Sequence, residues 1–150
     1  MLTRRTFVLI AAATPVAGMA TMALAAKPAV YMHRGVAIDG SDAVAYFTDG
    51  KPVKGSDTHT FDWNGATWRF STAANRDTFA AAPQRYAPQF GGYCAWAVSE
   101  GYTASTVPEA WKIVDGKLYL NYSRRIQRRW EQNVQDRIAA GKRNWPAVLG

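Results

Sequence analysis

Thr60-Phe61-Asp62-Trp63-Asn64-Gly65-Ala66-Thr67-Trp68-Arg69-Phe70 sets two aromatic and β-branched runs on either side of an Asn-Gly pair. Asn and Gly take positive φ at little cost, as the twist of a tight two-residue turn requires, so the stretch reads as a β-hairpin. Trp111 to Tyr122 repeats the pattern around Asp115-Gly116 and reads as a second hairpin. Between the two the period changes. Ser71 or Thr72 can cap a helix over residues 73–81 that carries Phe79 inward and stops at Pro83. Gln84 to Tyr86 reads as a further helical turn, Asp42 to Phe47 as a buried strand or one turn of helix, and Lys51 to Asp57 as surface loop. Ser123 opens a final helix to about Ala140, in which Ile126, Trp130, Val134 and Ile138 form one apolar stripe and Gly141 is placed to end it. The fold class expected is α+β: a small single domain of two β-hairpins packed against short helices and a C-terminal amphipathic helix.

The start of the chain has a different logic. Thr3-Arg4-Arg5-Thr6-Phe7-Val8-Leu9, an apolar continuation to Ala13 and the small-residue triplet Ala23-Leu24-Ala25 have the order of a twin-arginine export signal. Residues 1–25 are expected to be a signal peptide and residues 26–150 the mature domain, working in the periplasm or another exported compartment. The competing reading is a membrane anchor, since about 20 residues suffice to cross a bilayer. Pro15, Gly18 and the Thr and Ala content make the segment weakly apolar, which suits a transient signal better than a permanent span. The mature form is expected not to span a membrane.

Removing Arg4 and Arg5 takes 18 basic residues to 16 against 11 acidic ones, a formal charge of +5. Arg124, Arg125, Arg128, Arg129, Arg137, Lys142 and Arg143 carry most of that excess, against Glu131 and Asp136. Such a face can meet anionic lipid, an acidic partner or nucleic acid. An exported protein rarely meets nucleic acid, so none is expected. Cys94 is the single cysteine and cannot form an internal disulfide despite the oxidising compartment.

The run Phe70-Ser71-Thr72-Ala73-Ala74-Asn75-Arg76-Asp77-Thr78-Phe79, followed by Pro83-Gln84-Arg85-Tyr86, resembles the YHS domain, as does Asp42-Ala43-Val44-Ala45-Tyr46. From Gly40 through Gly91-Gly92-Tyr93-Cys94-Ala95-Trp96 to Asn144-Trp145-Pro146 the chain is similar to the exported, single-domain branch of that family. The resemblance implies a small α+β unit with a hairpin packed on helices, of a kind found attached to copper-transporting ATPases and some hydroxylases and associated with metal. Metal-associated relatives carry cysteines at the positions of Ala45, Ser71 and Asn75. Here Ala45 supplies no donor and Ser71 and Asn75 supply weak, hard ones, so that ligand set is not carried over.

Cys94 then has three readings: a soft metal ligand, a reactive or partner-linked thiol, or a packed side chain. Met32, His33 and His59 are its possible companions, in a spacing that matches no metal template. Copper is the first cofactor expectation, because the resembled family sits in copper systems and a thiolate is a soft donor. Tyr93 and Trp96, rings beside the flexible Gly91-Gly92 pair, are the candidate wall of a ligand pocket. The alternative to metal handling is an interaction module that holds a protein partner or small ligand through an aromatic cleft or the basic C-terminal helix. No Gly-x-Ser-x-Gly elbow, phosphate-cradling Gly-rich loop or His-Glu-x-x-His helix is present, so binding rather than catalysis is expected. A pair of Cys94 with His33 or His59 is the one catalytic arrangement left open.

Overall fold

A computed structural model describes residues 26–150, and the expected export signal lies outside the described residues. Both hairpins form at their turn residues. Strands β3 (Ser56–Trp63) and β4 (Ala66–Phe70) meet at Asn64 and Gly65, whose φ values are 52° and 81°. Strands β5 (Trp111–Val114) and β6 (Lys117–Leu120) meet at Asp115 and Gly116, at 50° and 73°. Two short strands precede them, β1 (Met32–His33) and β2 (Val36–Ala37), and give a four-stranded sheet of order β1-β2-β4-β3 beside the two-stranded β5-β6. Single strands of two residues have no period to read, so this first hairpin left no sequence signal. The loop expected over Lys51 to Asp57 yields to strand at Ser56. A register shift between Ser56 and Thr60 breaks the alternation that would have extended β3 by eye.

Helix α1 (Ala45–Thr48) resolves the Asp42–Phe47 alternative as one helical turn. Helix α2 (Ala73–Ala81) is capped by Thr72, whose Oγ1 accepts from the Asn75 amide at 3.1 Å. Helix α3 (Pro83–Tyr86) starts on the proline, where a missing amide costs nothing. Helix α4 (Ala95–Ser99) follows Cys94. The C-terminal helix is two helices rather than one, α5 (Arg124–Glu131) capped by Ser123 and α6 (Val134–Asn144), with a break at Asn133 where φ is −144° and ψ 52°. Gly141 does not end it. It lies within α6, where a Cβ would stand 2.6 Å from Phe90 Cζ, so this glycine serves close packing.

The apolar stripe of the sequence becomes a second core beside a first. In the first, Phe79 is fully enclosed, with Trp68 and Phe70 centroids at 4.9 and 5.0 Å and Phe61 and Trp63 edge-on. Burying such a ring contributes about 1.5–3 kcal/mol. The second gathers Phe90, Tyr93, Val98, Tyr119, Trp130 and Ile138. Strand β6 is the wall between them, because Leu118 and Leu120 join the first cluster and Tyr119, on the opposite face, joins the second. No described helix is long and apolar enough to cross a membrane.

Candidate functional site

Asp42 is fully buried where α1 meets the junction of β4 and α2. Its Oδ1 accepts from the amides of Val44 at 2.9 Å and Ala45 at 3.1 Å, and its Oδ2 from the Ser71 amide at 2.8 Å, the Ser71 hydroxyl at 2.7 Å and Asn75 Nδ2 at 2.9 Å. Ala45, Ser71 and Asn75, the positions where the resemblance places cysteines, therefore converge on one carboxylate. Their hydrogen-bonding groups are spent holding it. Sequence reasoning left Asp42 without a role because a buried acid inside a motif gives no periodic signal. The triad of positions could have suggested that something occupies their centre.

Gly91 and Gly92 turn the chain toward Cys94 with φ of 63° and 85°. A Cβ on Gly91 would lie 1.9 Å from the Ala29 carbonyl oxygen, so only glycine permits this approach. Cys94 is 1% exposed. Its Sγ accepts from the Tyr122 amide at 3.3 Å and faces Asn121 Oδ1 at 3.6 Å as a donor. The Trp96 amide donates to the same oxygen at 3.0 Å, which fixes the Asn121 orientation, because a flipped amide would set donor against donor. Burial pushes the thiol above its ordinary pKa, and main-chain donors around the sulfur lower it only in part. A neutral, hydrogen-bonded thiol is neither a good nucleophile nor a good metal ligand.

Cys94 is also the floor of a cavity of about 240 Å³ walled by Trp96, Tyr102, Ala104, Tyr122 and Ile126. Trp96 is held by two guanidinium groups, Arg137 at 3.8 Å and Arg129 at 5.0 Å from its ring centroid. Arg137 also pairs with Glu100, so α6 fixes this wall to α4. Tyr93 does not line the cavity. It packs against Tyr31 and Trp145, with its hydroxyl donating to the Pro28 carbonyl at 2.8 Å.

The metal candidates lie apart. Met32 and His33 are on β1 and His59 is on β3, the opposite edges of the four-stranded sheet, about 14 Å across at the usual strand spacing. Cys94 stands at the head of α4, with Asn121 and Tyr122 as its polar neighbours. Among the described residues no three His, Cys, Asp or Glu side chains gather in a way that could hold a metal ion. The donor set present does not fit copper. His59 Nδ1 is buried without a hydrogen-bond partner.

The segment that closes on Asp42, from α1 through the β3-β4 hairpin, α2 and α3 to Phe90, matches a known family. Residues 44–90 match the YHS domain. No curated protein and no solved structure matches the chain. The YHS segment contains the Ala45, Ser71 and Asn75 positions and ends four residues before Cys94. The Trp96 cavity is thus built outside it, on α4, α5 and the loop after Gly101.

Proposed function

We propose that this chain is an exported YHS-domain binding module that holds a small aromatic or apolar molecule against Trp96. One observation carries the reading. Among the described residues three large apolar side chains are exposed, and two of them, Tyr102 at 51% and Tyr122 at 55%, stand on the rim of this single cavity. Apolar surface left open beside a concave aromatic wall is the ordinary signature of a ligand site. The volume sets the scale of the ligand: an apolar cavity of about 150 Å³ takes one benzene ring, so about 240 Å³ suits one or two fused rings. Export is supported by the order of the twin-arginine segment, charged then apolar then small.

Calorimetry with indole as probe tests the proposal. The wild-type protein is expected to bind it saturably at micromolar to millimolar level, and Ile126→Trp, which fills the cavity with its own ring, to abolish the heat while keeping the fold. Equal binding by the two proteins removes this cavity from the account.

A further inference from the structure

A second cleft, of about 310 Å³, is lined by His33, Arg34, Val36, Asp39 and Arg69. Arg69 projects from β4 and is pinned by its neighbours. Its Cδ lies 3.7 Å from where a Cβ on Gly40 would stand, Gly55 lies against its main chain, and the Gly55 amide donates to the Gly40 carbonyl at 2.8 Å beside it. Despite that fixed stem its Nε is shielded from solvent with no hydrogen-bond partner. Leaving such a donor unpaired costs about 1–3 kcal/mol. Neither Arg69 nor Arg34 takes part in an ion pair among the described residues. The acid on the rim, Asp39, is engaged by the Tyr31 hydroxyl at 3.2 Å instead.

The backbone around the cleft is held in an unfavourable shape. Arg34, Ile38 and Asp39 have φ of 50°, 43° and 54°, and for a β-branched residue such as Ile38 this is an outlier that only firm surroundings sustain. Ile38 is buried in the first core, which supplies that constraint, and Arg34, Asp39 and Arg69 line the cleft together.

We infer that this cleft binds an oxyanion, the phosphate or carboxylate group of a solute or of a lipid headgroup, with Arg69 and Arg34 as donors. A guanidinium presents a rigid fork of N–H groups that matches such a group bidentately, and neither arginine spends that fork on an ion pair among the described residues. His33 adds a third donor from β1. Asp39 opposes a second negative charge, which limits the affinity to roughly the millimolar range and selects for a single compact anion. The site is independent of the Trp96 cavity and stands or falls without it.

The test is a ¹H–¹⁵N titration of the protein with inorganic phosphate, using chloride at matched ionic strength as control. Saturable shifts are expected at Arg34, Gly35, Asp39 and Arg69. Arg69→Gln and Arg34→Asn are each expected to weaken binding about tenfold, or ~1.4 kcal/mol. Asn tolerates the left-handed backbone at position 34, so this variant keeps the test alive if Arg69→Gln fails to fold. Vesicles of phosphatidylglycerol and of phosphatidylcholine separate the sources. Retention on the anionic vesicles alone, lost in Arg34→Asn, assigns a headgroup, whereas phosphate binding without retention assigns a soluble oxyanion. No saturable shift with phosphate, or an unchanged affinity in both variants, overturns the inference.

Discussion

Asp42 is the centre on which Ala45, Ser71 and Asn75 converge. Thiolates at Ala45, Ser71 and Asn75 would point at a soft cation, yet in this chain an amide, a hydroxyl and a carboxamide from those same positions point at a carboxylate. The junction is held by an acid at its centre. Asp42→Asn retains the size but turns an amino group toward donors. It is expected to lower stability by about 2–4 kcal/mol in urea denaturation, because buried donors lose their acceptor. A loss below about 0.5 kcal/mol would mean the carboxylate is incidental. That these three residues carry no thiol was legible in the sequence. That Asp42 binds them together was not, since hydrogen bonds between residues 29 and 33 positions apart leave no local pattern.

Local chemistry placed most of the elements. Asn64-Gly65 and Asp115-Gly116 sit at positive φ as their turn type demands, and Thr72 and Ser123 cap the helices they precede. Where an element depends on a distant neighbour, the local reading failed. Gly141 resembles a helix terminator in sequence and is a packing contact with Phe90 in space. The break at Asn133 interrupts a stripe whose spacing alone is continuous. The same contrast fixes the sign of a substitution. In an unencumbered helix Gly→Ala stabilises by about 1 kcal/mol; here the added methyl would meet the Phe90 ring at 2.6 Å. Gly141→Ala is therefore expected to destabilise by about 1–3 kcal/mol, read by thermal melting. A rise in melting temperature would show that Phe90 can move aside.

Across the whole molecule, two cores meet at β6 and bury tyrosines from both. Burial pushes the hydroxyls of Tyr31 and Tyr46 up to about 12, with Asp39 reinforcing the shift at Tyr31, and raises Tyr93, Tyr119 and the Cys94 thiol as well. These acids ionise more readily in the unfolded chain, which then binds fewer protons than the native state, so stability must fall as pH rises. The contribution is complete below the ordinary values of 9.0 for the thiol and 10.0 for the tyrosines and is progressively lost toward pH 12. Denaturation midpoints are expected to decline from about pH 9, most steeply above about pH 10, and a flat profile to pH 11 would contradict the packing described. Function is written at this scale too. The sequence marked Cys94 and Trp96 as places to watch, but only the fold shows that the sulfur is enclosed and that Tyr102, Tyr122 and Ile126, from separate segments, complete a cavity above it. A pair of ¹H–¹⁵N titrations, one with indole and one with copper(I), decides between that cavity and a metal centre. The account predicts saturable indole shifts at Cys94, Trp96, Tyr102 and Tyr122 and no stoichiometric copper shift that Cys94→Ser removes. Silence toward indole, together with one equivalent of copper(I) bound through Cys94, would contradict it.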